Sequence, residues 1–220
     1  MRNSLILLLG IVAGCKSPAP KSEEKAAVNP PAAIQKVENV KEKTFDELFV
    51  PVAPRDITGN VFRLVGEDFT VITAGTTTAY NSMTASYGGW GILFNAPSTW
   101  CFLRANRYTL ECIRRERKYT MVYFDEAYRD QVMLFGSSSG RDGDKMKRHT
   151  LSAVETPAGC VAYKEAKLVI ECELTSITTV HPDDYFSPEG KSFVTDAFAE
   201  ANDYHKLVFG KITGTWIRRP

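Results

Sequence analysis

Two stretches of the chain are rich in small hydroxylated residues and glycines, which are residue types that bind anions. The first runs from Ala74 to Ser86 and is followed by a glycine-rich turn that ends at Gly91. The second runs from Gly136 to Lys145 and combines three serines with two cations. Glycine lets the backbone approach a phosphate closely, and amides and hydroxyls then supply hydrogen-bond donors. A polar β-hairpin explains the first stretch equally well, and a solvated turn explains the second better when it is read alone.

Metal chemistry finds less support in the sequence. The three histidines (His149, His181 and His205) stand far apart, and no two cysteines have the Cys-x-x-Cys spacing. Zinc sites usually draw their ligands from such closely spaced pairs. The metalloprotease pattern His-Glu-x-x-His is also missing. We therefore expect no metal site in this chain.

Alternating and helical spacings of apolar residues predict the elements that must position both stretches. Strands are predicted over five segments: 69–73, 100–103, 119–124, 167–179 and 205–216. Helices are predicted over two segments: 110–117 and 128–135. The first helix has Thr109 as its candidate N-cap, Glu111 in its first turn and cations in its last turn, which suits the helix dipole at both ends. Short strands and short helices in succession predict an α+β, mainly β fold, with helices packed around a β-barrel.

Composition divides the 220 residues into three parts. Residues 1–14 have a positive start and an apolar run that is too short to span a bilayer, which is typical of a signal peptide. Small residues directly before Cys15 resemble the lipobox of bacterial lipoproteins, in which this thiol is acylated; an ordinary cleaved leader is the alternative. Residues 15–44 are rich in Pro, Ala, Lys and Glu and are predicted to form a tether. Residues 45–220 are long enough for one domain.

These signals predict an exported lipoprotein, on the periplasmic or cell-surface face of a bacterial membrane, that is held there by its lipid. The net charge of +1 provides no field that attracts nucleic acid, so we exclude that partner. The folded part retains four cysteines: Cys101, Cys112, Cys160 and Cys172. An even number permits disulfides in an oxidising compartment, but the apolar neighbours of three of them favour buried free thiols.

Short motifs in a fixed order carry a resemblance to a known family. They are Asn60-Val-Phe-Arg-Leu-Val-Gly-Glu-Asp68, Asn81-Ser-Met-Thr-Ala-Ser-Tyr-Gly-Gly89, Arg104-Ala-Asn-Arg-Tyr-Thr109, Ser139-Gly-Arg-Asp-Gly-Asp-Lys145, Asp203-Tyr-His205 and Gly210-Lys-Ile212. In this order they resemble the motifs of flavin-reductase-like and flavoredoxin-like proteins, from about Arg55 to the end of the chain. Several ordered motifs at coherent spacing are far more specific than a single glycine pattern.

This resemblance implies a split β-barrel, usually a homodimer, that holds FMN near the subunit interface. Cofactor contacts then fall to Asn81, Ser82, Met83, Thr84, Ala85, Ser86, Arg104, Arg107, Tyr108, Thr109, Ser139, Gly140 and Lys145. Thr84, Ser86 and Thr109 would donate hydroxyl hydrogen bonds to the FMN phosphate, beside one or more of the cations. Ser139 and Gly140 would close over the cofactor.

The remaining assignments concern the flavin ring. Asn81, Met83 and Ala85 would lie along the ring or the ribityl chain, and His205 is the candidate catalytic residue. Each residue also has a purely structural interpretation. Thr109 can simply cap its helix, Met83 can belong to the core, and His205 can donate to a carbonyl. The arginines can pair with surface acids.

The implied function is that of an FMN-dependent oxidoreductase, which passes hydride or electrons through FMN to an unidentified acceptor, with NAD(P)H as the candidate donor. Export conflicts with this donor, because NAD(P)H is expected in the cytoplasm. One alternative is an FMN-bound electron carrier at the envelope that is reduced by a redox partner protein. Another is a cell-surface ligand-binding module that holds no flavin, and a third is a purely structural envelope protein.

Overall fold

An antiparallel sheet organises residues 42–141, 145–198 and 203–220, which are the parts of the chain that the computed structural model describes. The strands are β1 (Phe49–Pro51), β2 (Thr70–Thr76), β3 (Ala79–Ala85), β4 (Gly88–Leu93), β5 (Ala96–Arg104), β6 (Lys118–Tyr123), β7 (Ala153–Glu155), β8 (Val161–Tyr163), β9 (Leu168–Thr179) and β10 (His205–Arg218). Hydrogen-bonded neighbours follow the order β3-β2-β6-β9-β10-β5-β4, with β1 paired to β10. β7 and β8 form a separate two-stranded sheet.

Short helices lie between these strands. They are α1 (Phe45–Leu48), α2 (Val61–Gly66), α3 (Tyr108–Glu116), α4 (Arg129–Ser137) and α5 (Pro188–Phe198). Single 3-10 turns occupy residues 54–56, 126–128, 145–147 and 182–184. Strand residues therefore dominate, and the predicted mainly β fold with short peripheral helices is confirmed.

The central strands are buried on both faces, because successive side chains of a strand point to opposite sides of the sheet. In β9, Ile170 and Cys172 pack into one apolar cluster with side chains from α2 and α3. Val169 packs into a second cluster with side chains from α1, α4 and β8. Removing this apolar surface from water is the main force that holds the fold together. The strands predicted over 119–124 and 167–179 match β6 and β9 to within one residue at each end.

The first hydroxyl-rich stretch forms a β-hairpin, as its structural interpretation predicted. β2 and β3 pair over their whole lengths, and Gly75 adopts a φ of +130° beside the turn, a conformation that favours glycine. The polar side chains of β3 find partners on burial. The Ser82 hydroxyl lies 2.6 Å from both the Thr73 hydroxyl and the Tyr163 phenol oxygen. Buried polar groups need such partners, so this network allows a polar strand to lie in the core.

The start of α3 differs from the prediction, because Thr109 is not its N-cap. The helix begins at Tyr108, so Arg107 is the N-cap residue and Thr109 lies in the first turn. The Thr109 side chain is buried, and its hydroxyl accepts a hydrogen bond from Asn81 Nδ2 at 2.6 Å. This long-range contact replaces the local cap, because two polar groups that are buried together must satisfy each other.

The four cysteines of the folded part are buried free thiols, as predicted. Burial raises the pKa of Cys160 and of Cys172 to about 12. Both thiols therefore stay protonated at neutral pH, and protonated, buried thiols are chemically inert.

Several predictions concern residues outside the described ranges. Residues 1–41 contain the predicted signal peptide, Cys15 and most of the predicted tether, and residues 142–144 belong to the fourth motif. Among the helices that the structure describes, none is both long and apolar enough to cross a bilayer.

Candidate functional site

One cleft, here the polar cleft, brings the two hydroxyl-rich stretches together. It has a volume of about 130 Å³ and is lined by Asn81, Met83, Thr84, Ala85, Ser86, Tyr87, Phe102, Arg104, Arg107, Tyr108, Thr109, Phe135, Gly136, Ser138, Ser139, Gly140, Lys145 and His205. Except for Ser82, every residue that was predicted to contact the cofactor or to be catalytic lies on this surface. Thr84 and Lys145, which come from the two separate stretches, therefore share one concavity.

The polar cleft carries an excess of positive charge. Its lining includes Arg104, Arg107 and Lys145, and none of its described residues is a carboxylate. Like charges that are held together and partly shielded from water repel one another, so a bound anion stabilises them. Within the described ranges, no group of three or more His, Cys, Asp or Glu side chains is arranged to hold a metal ion. The cleft therefore suits an anionic ligand.

Lys145 is the most buried of the three cations, with 3% of its surface exposed. Its Nζ donates to the carbonyls of Phe135, at 3.0 Å, and Ser138, at 3.1 Å. An ammonium has three N–H donors, and the described residues provide no acceptor for the third. Burial, with repulsion from Arg107 and Arg148, lowers the pKa of Lys145 to about 8. A cation whose charge is penalised in this way gains most from an anion beside it.

Thr109 offers a hydroxyl donor on the same surface. Its oxygen accepts from Asn81 Nδ2, so its own hydrogen points elsewhere, and the described residues contain no acceptor for it. Gly140 packs so tightly on Asn81 that a Cβ at this position would overlap the Asn81 amide. The amide that orients Thr109 thus depends on glycine at position 140.

The loop that carries Ser139 and Gly140 is held against the start of α3. Arg141 donates to the Asn106 carbonyl and pairs with Glu111, and its guanidinium lies 5.6 Å from the centroid of the Tyr108 ring. The Arg141 amide also donates to the Ser139 hydroxyl at 3.1 Å. These contacts fix the edge of the polar cleft from outside it.

Arg104 is positioned by Asp203, a residue that the sequence-based prediction did not assign to the site. Arg104 Nε lies 2.5 Å from Asp203 Oδ2, and Asp203 Oδ1 accepts from the Asn106 amide at 2.8 Å. Asp203 is buried. Its two contacts join the segment just before β10 to the stretch from Arg104 to Arg107, which carries both arginines of the cleft. A signal for this role was present, because Asp203 opens the Asp-Tyr-His motif.

Two residues of β3 differ from their predicted roles. Ser82 is a correction: its side chain lies in the buried network with Thr73 and Tyr163, because alternate residues of a strand face opposite sides. Thr84 does line the polar cleft, but its hydroxyl donates to the Val132 carbonyl. A hydroxyl has only one hydrogen, so in this arrangement Thr84 cannot also donate to a phosphate.

His205 stands where the polar cleft meets a second cleft. Its ring packs edge-on against Tyr87, with 6.0 Å between the ring centroids. Burial and the charge of Arg104 lower the pKa of His205, while the nearby carboxylate of Asp203 opposes that change. A neutral imidazole presents one N–H donor and one acceptor nitrogen. His205 is therefore suited to hydrogen bonding with an uncharged group.

The second cleft, here the apolar cleft, has a volume of about 520 Å³ and is lined by Ser86, Tyr87, Gly88, Phe102, Val180, Tyr185, Phe193, Val194 and His205. It shares Ser86, Tyr87, Phe102 and His205 with the polar cleft. Of these four, the sequence-based prediction missed Tyr87 and Phe102. Tyr87 lies inside the second motif, whereas Phe102 had only the signal of a buried strand.

Comparison with known proteins identifies the family and the fold of the chain. The model of a family described as flavin reductase like domain matches residues 62–220. No curated protein matches the chain. Solved structures that the chain resembles include an FMN-binding protein from Thermus thermophilus with bound p-hydroxybenzaldehyde, at 17% identity over 73% of this chain and 77% of that one, with a TM-score of 0.53.

Two further structures extend this likeness. They are an FMN-binding domain of a flavin reductases-like enzyme from Shewanella baltica OS155 (16% identity, 77% of this chain and 76% of that one, TM-score 0.54) and the flavoredoxin of Desulfovibrio vulgaris (18% identity, 68% of each chain, TM-score 0.51). Likeness at such identities establishes the fold, which is the predicted split barrel. Its sheet is not closed, since β3 and β4 stand at its two ends.

Proposed function

Because this chain belongs to the flavin reductase-like domain family, we propose that its polar cleft binds FMN and that the protein is an FMN-dependent oxidoreductase. The observation that carries this proposal is the set of three cations without a carboxylate in the cleft, with Lys145 buried among them. Asp203 offsets the charge of Arg104, but Lys145 is buried, and a buried cation costs free energy unless a ligand offsets its charge.

The residues of the cleft fit the chemistry of an FMN phosphate. That group is a dianion near neutral pH and needs several donors beside a cation. Lys145 Nζ and the Thr109 hydroxyl each have a hydrogen to give, and Ser139 and Arg107 lie on the same surface. Met83 offers apolar contact to a flavin ring. When bound, FMN would supply the redox chemistry, taking up a hydride and passing electrons to an acceptor.

His205 is the candidate for contact with the reacting end of the cofactor. Its lowered pKa keeps the imidazole uncharged at neutral pH, and its packing against Tyr87 fixes the ring where the two clefts meet. The charges of Arg104 and Asp203 act on the His205 imidazole in opposite directions. These residues would position the cofactor and tune the charge around it. The proposed chemistry requires no nucleophile from the protein.

We expect the purified protein to bind FMN much more tightly than riboflavin, which lacks the phosphate. Losing the charged hydrogen bonds to the phosphate should raise the dissociation constant by about 30-fold or more. Titration of the visible absorbance or of flavin fluorescence measures both constants, with riboflavin as the matched ligand. Equal affinities, or no uptake of either flavin, would contradict the proposal and favour a module without flavin.

The electron donor separates the two functional forms of the proposal. NAD(P)H would serve a flavin reductase, whereas a redox partner protein would serve an electron carrier at the envelope. Adding NADH or NADPH to the FMN-loaded protein without oxygen distinguishes them. Rapid loss of flavin absorbance identifies a reductase, and unchanged absorbance identifies the carrier.

We also propose that the protein is a homodimer, and the support is an exposed apolar surface. Phe62 in α2, Ile92 in β4 and Phe94 in the β4–β5 turn are all largely exposed. Phe62 lines one cavity and Ile92 lines another, and Trp90 lines both. Monomeric proteins rarely expose contiguous apolar patches of this kind. Sedimentation equilibrium should return the mass of two chains, and Phe94→Asp should shift it toward one. A monomer mass for the unaltered protein would contradict the dimer.

A further inference from the structure

The apolar cleft differs in chemistry from the polar cleft that it adjoins. Its described lining contains no lysine, arginine, aspartate or glutamate, and aromatic or aliphatic side chains make up most of it. Its volume of about 520 Å³ lies within the range of pockets that hold small organic ligands. The residues that line only the apolar cleft include Tyr185 and, from α5, Phe193 and Val194.

Charge determines what this cleft can bind. A nicotinamide dinucleotide carries at least two phosphate charges, and burying a phosphate without a cation is costly. An uncharged planar ring has no such penalty and gains from contact with aromatic walls. The lining therefore favours an uncharged ring compound over a dinucleotide.

The boundary that the two clefts share carries polar groups. His205 presents a neutral imidazole, and the described residues include no hydrogen-bond partner for the Ser86 hydroxyl. Both residues line both clefts. A ring compound with a carbonyl or hydroxyl oxygen would thus find hydrogen-bonding groups at one end of an otherwise apolar pocket, beside the proposed flavin.

We propose that the apolar cleft is the binding site for the second substrate, and that this substrate is an uncharged planar ring compound of the quinone class, which would take up the two electrons carried by reduced FMN, together with two protons, on its ring oxygens. The assignment of this ligand as the second substrate rests on the proposed FMN function. The binding itself rests only on the cleft.

Calorimetry on the FMN-loaded protein tests the proposal without relying on activity. The probes are 2-naphthol and naphthalene-2-sulfonate, which share a ring system and differ in charge. 2-Naphthol should bind at least about tenfold more tightly, because only the sulfonate must lose its hydration in an apolar site. Equal binding of the two probes would overturn the assignment of ligand class.

Two phenylalanines of one segment provide matched variants. Phe193 lines the cleft and is 55% exposed, whereas Phe186 does not line it and is 98% exposed, so neither substitution should disturb the core. Phe193→Ala should weaken 2-naphthol binding by about five- to tenfold and leave FMN affinity unchanged. Phe186→Ala should change neither. Equal effects of the two variants would overturn the location.

Further outcomes separate this proposal from the FMN function. FMN uptake without any 2-naphthol binding would overturn the cleft proposal alone. No FMN uptake, with 2-naphthol binding that depends on Phe193, would overturn the FMN function and leave a ring-binding site. NADH binding that Phe193→Ala weakens as strongly as it weakens 2-naphthol binding would reassign the cleft to a dinucleotide. A changed oligomeric mass in Phe193→Ala would reassign it to a subunit interface.

Discussion

Replacing Lys145 with methionine should raise the dissociation constant for FMN by about 100-fold, since it would remove the proposed charge-assisted hydrogen bond to the phosphate. The same change removes from the FMN-free protein the cost of burying this charge, while it leaves the carbonyls of Phe135 and Ser138 without their Lys145 donor. Lys145 is 3% exposed, and its pKa falls from 10.5 to about 8 in the folded protein. The charged form is therefore less favourable folded than unfolded, and methionine fills a similar volume without that penalty.

The dependence of the free energy of unfolding on pH reveals the cost of burying the Lys145 charge. Below pH 8 the folded and unfolded chains both hold the Lys145 proton, so the full cost of burying the charge is present. Between pH 8 and 10.5 the unfolded chain binds more protons than the folded one, so the contribution of Lys145 to stability rises with pH. The stability of Lys145→Met relative to the unaltered protein should therefore fall by about 1 to 3 kcal/mol as the pH rises through this window.

Binding of FMN should show the opposite trend. The phosphate prefers the charged ammonium, so the dissociation constant for the unaltered protein should rise as the pH increases from 7 through 8 to 9.5. Lys145→Met should bind weakly and show a much flatter profile. Titrations across this range, with urea unfolding of the FMN-free protein, check both halves of the prediction.

Lys147→Met is the matched control, because Lys147 is exposed in the same 3-10 turn and does not line the polar cleft. It should leave FMN affinity and its pH profile unchanged. Tight, pH-independent FMN binding by Lys145→Met would refute the assignment of the phosphate site. The same dependence of stability on pH in that variant as in the unaltered protein would refute the cost attributed to the buried charge.

Replacing Asp203 with asparagine should destabilise the protein and weaken FMN binding together. Asparagine keeps an oxygen that can accept from the Asn106 amide, so the substitution mainly removes the charge that pairs with Arg104. Leaving one partner of a half-buried ion pair alone should cost about 1 to 3 kcal/mol. Arg104 would no longer be held at the cleft, and FMN affinity should fall by about tenfold.

His205 provides a readout that separates positioning from general damage. The Asp203 carboxylate opposes the lowering of the His205 pKa, so its removal should lower that pKa further. An NMR titration of the imidazole, with urea unfolding and FMN titration, measures all three effects. Asp183→Asn is the control, since Asp183 is exposed and pairs only on the surface with Lys191. An unmoved His205 pKa in Asp203→Asn would show that Asp203 does not act on the site.

Local patterns were sufficient for much of the fold. β6 and β9 were predicted to within a residue at each end, because alternation of apolar side chains is a short-range property of a strand. The buried state of the cysteines followed from their apolar neighbours. The order of the motifs also identified 13 of the 18 residues that line the polar cleft, since motif spacing reflects the positions at which strands and loops meet.

Only the tertiary structure decided to which partner each hydroxyl points. Thr109 turns inward to Asn81, Ser82 joins Tyr163 in the core, and the Thr84 hydroxyl donates to Val132 across the chain. Each partner lies 28 or more residues away. The register of β2 with β3 and the docking of α3 and α4 set these contacts. The ion pair of Arg104 with Asp203 likewise joins segments that are distant in sequence. The sequence alone determined that the chain carries small donors and cations suited to an anion, because residue type carries that chemistry. Packing alone determined which donors keep a free hydrogen, because a hydroxyl has one to give and its nearest buried acceptor takes it.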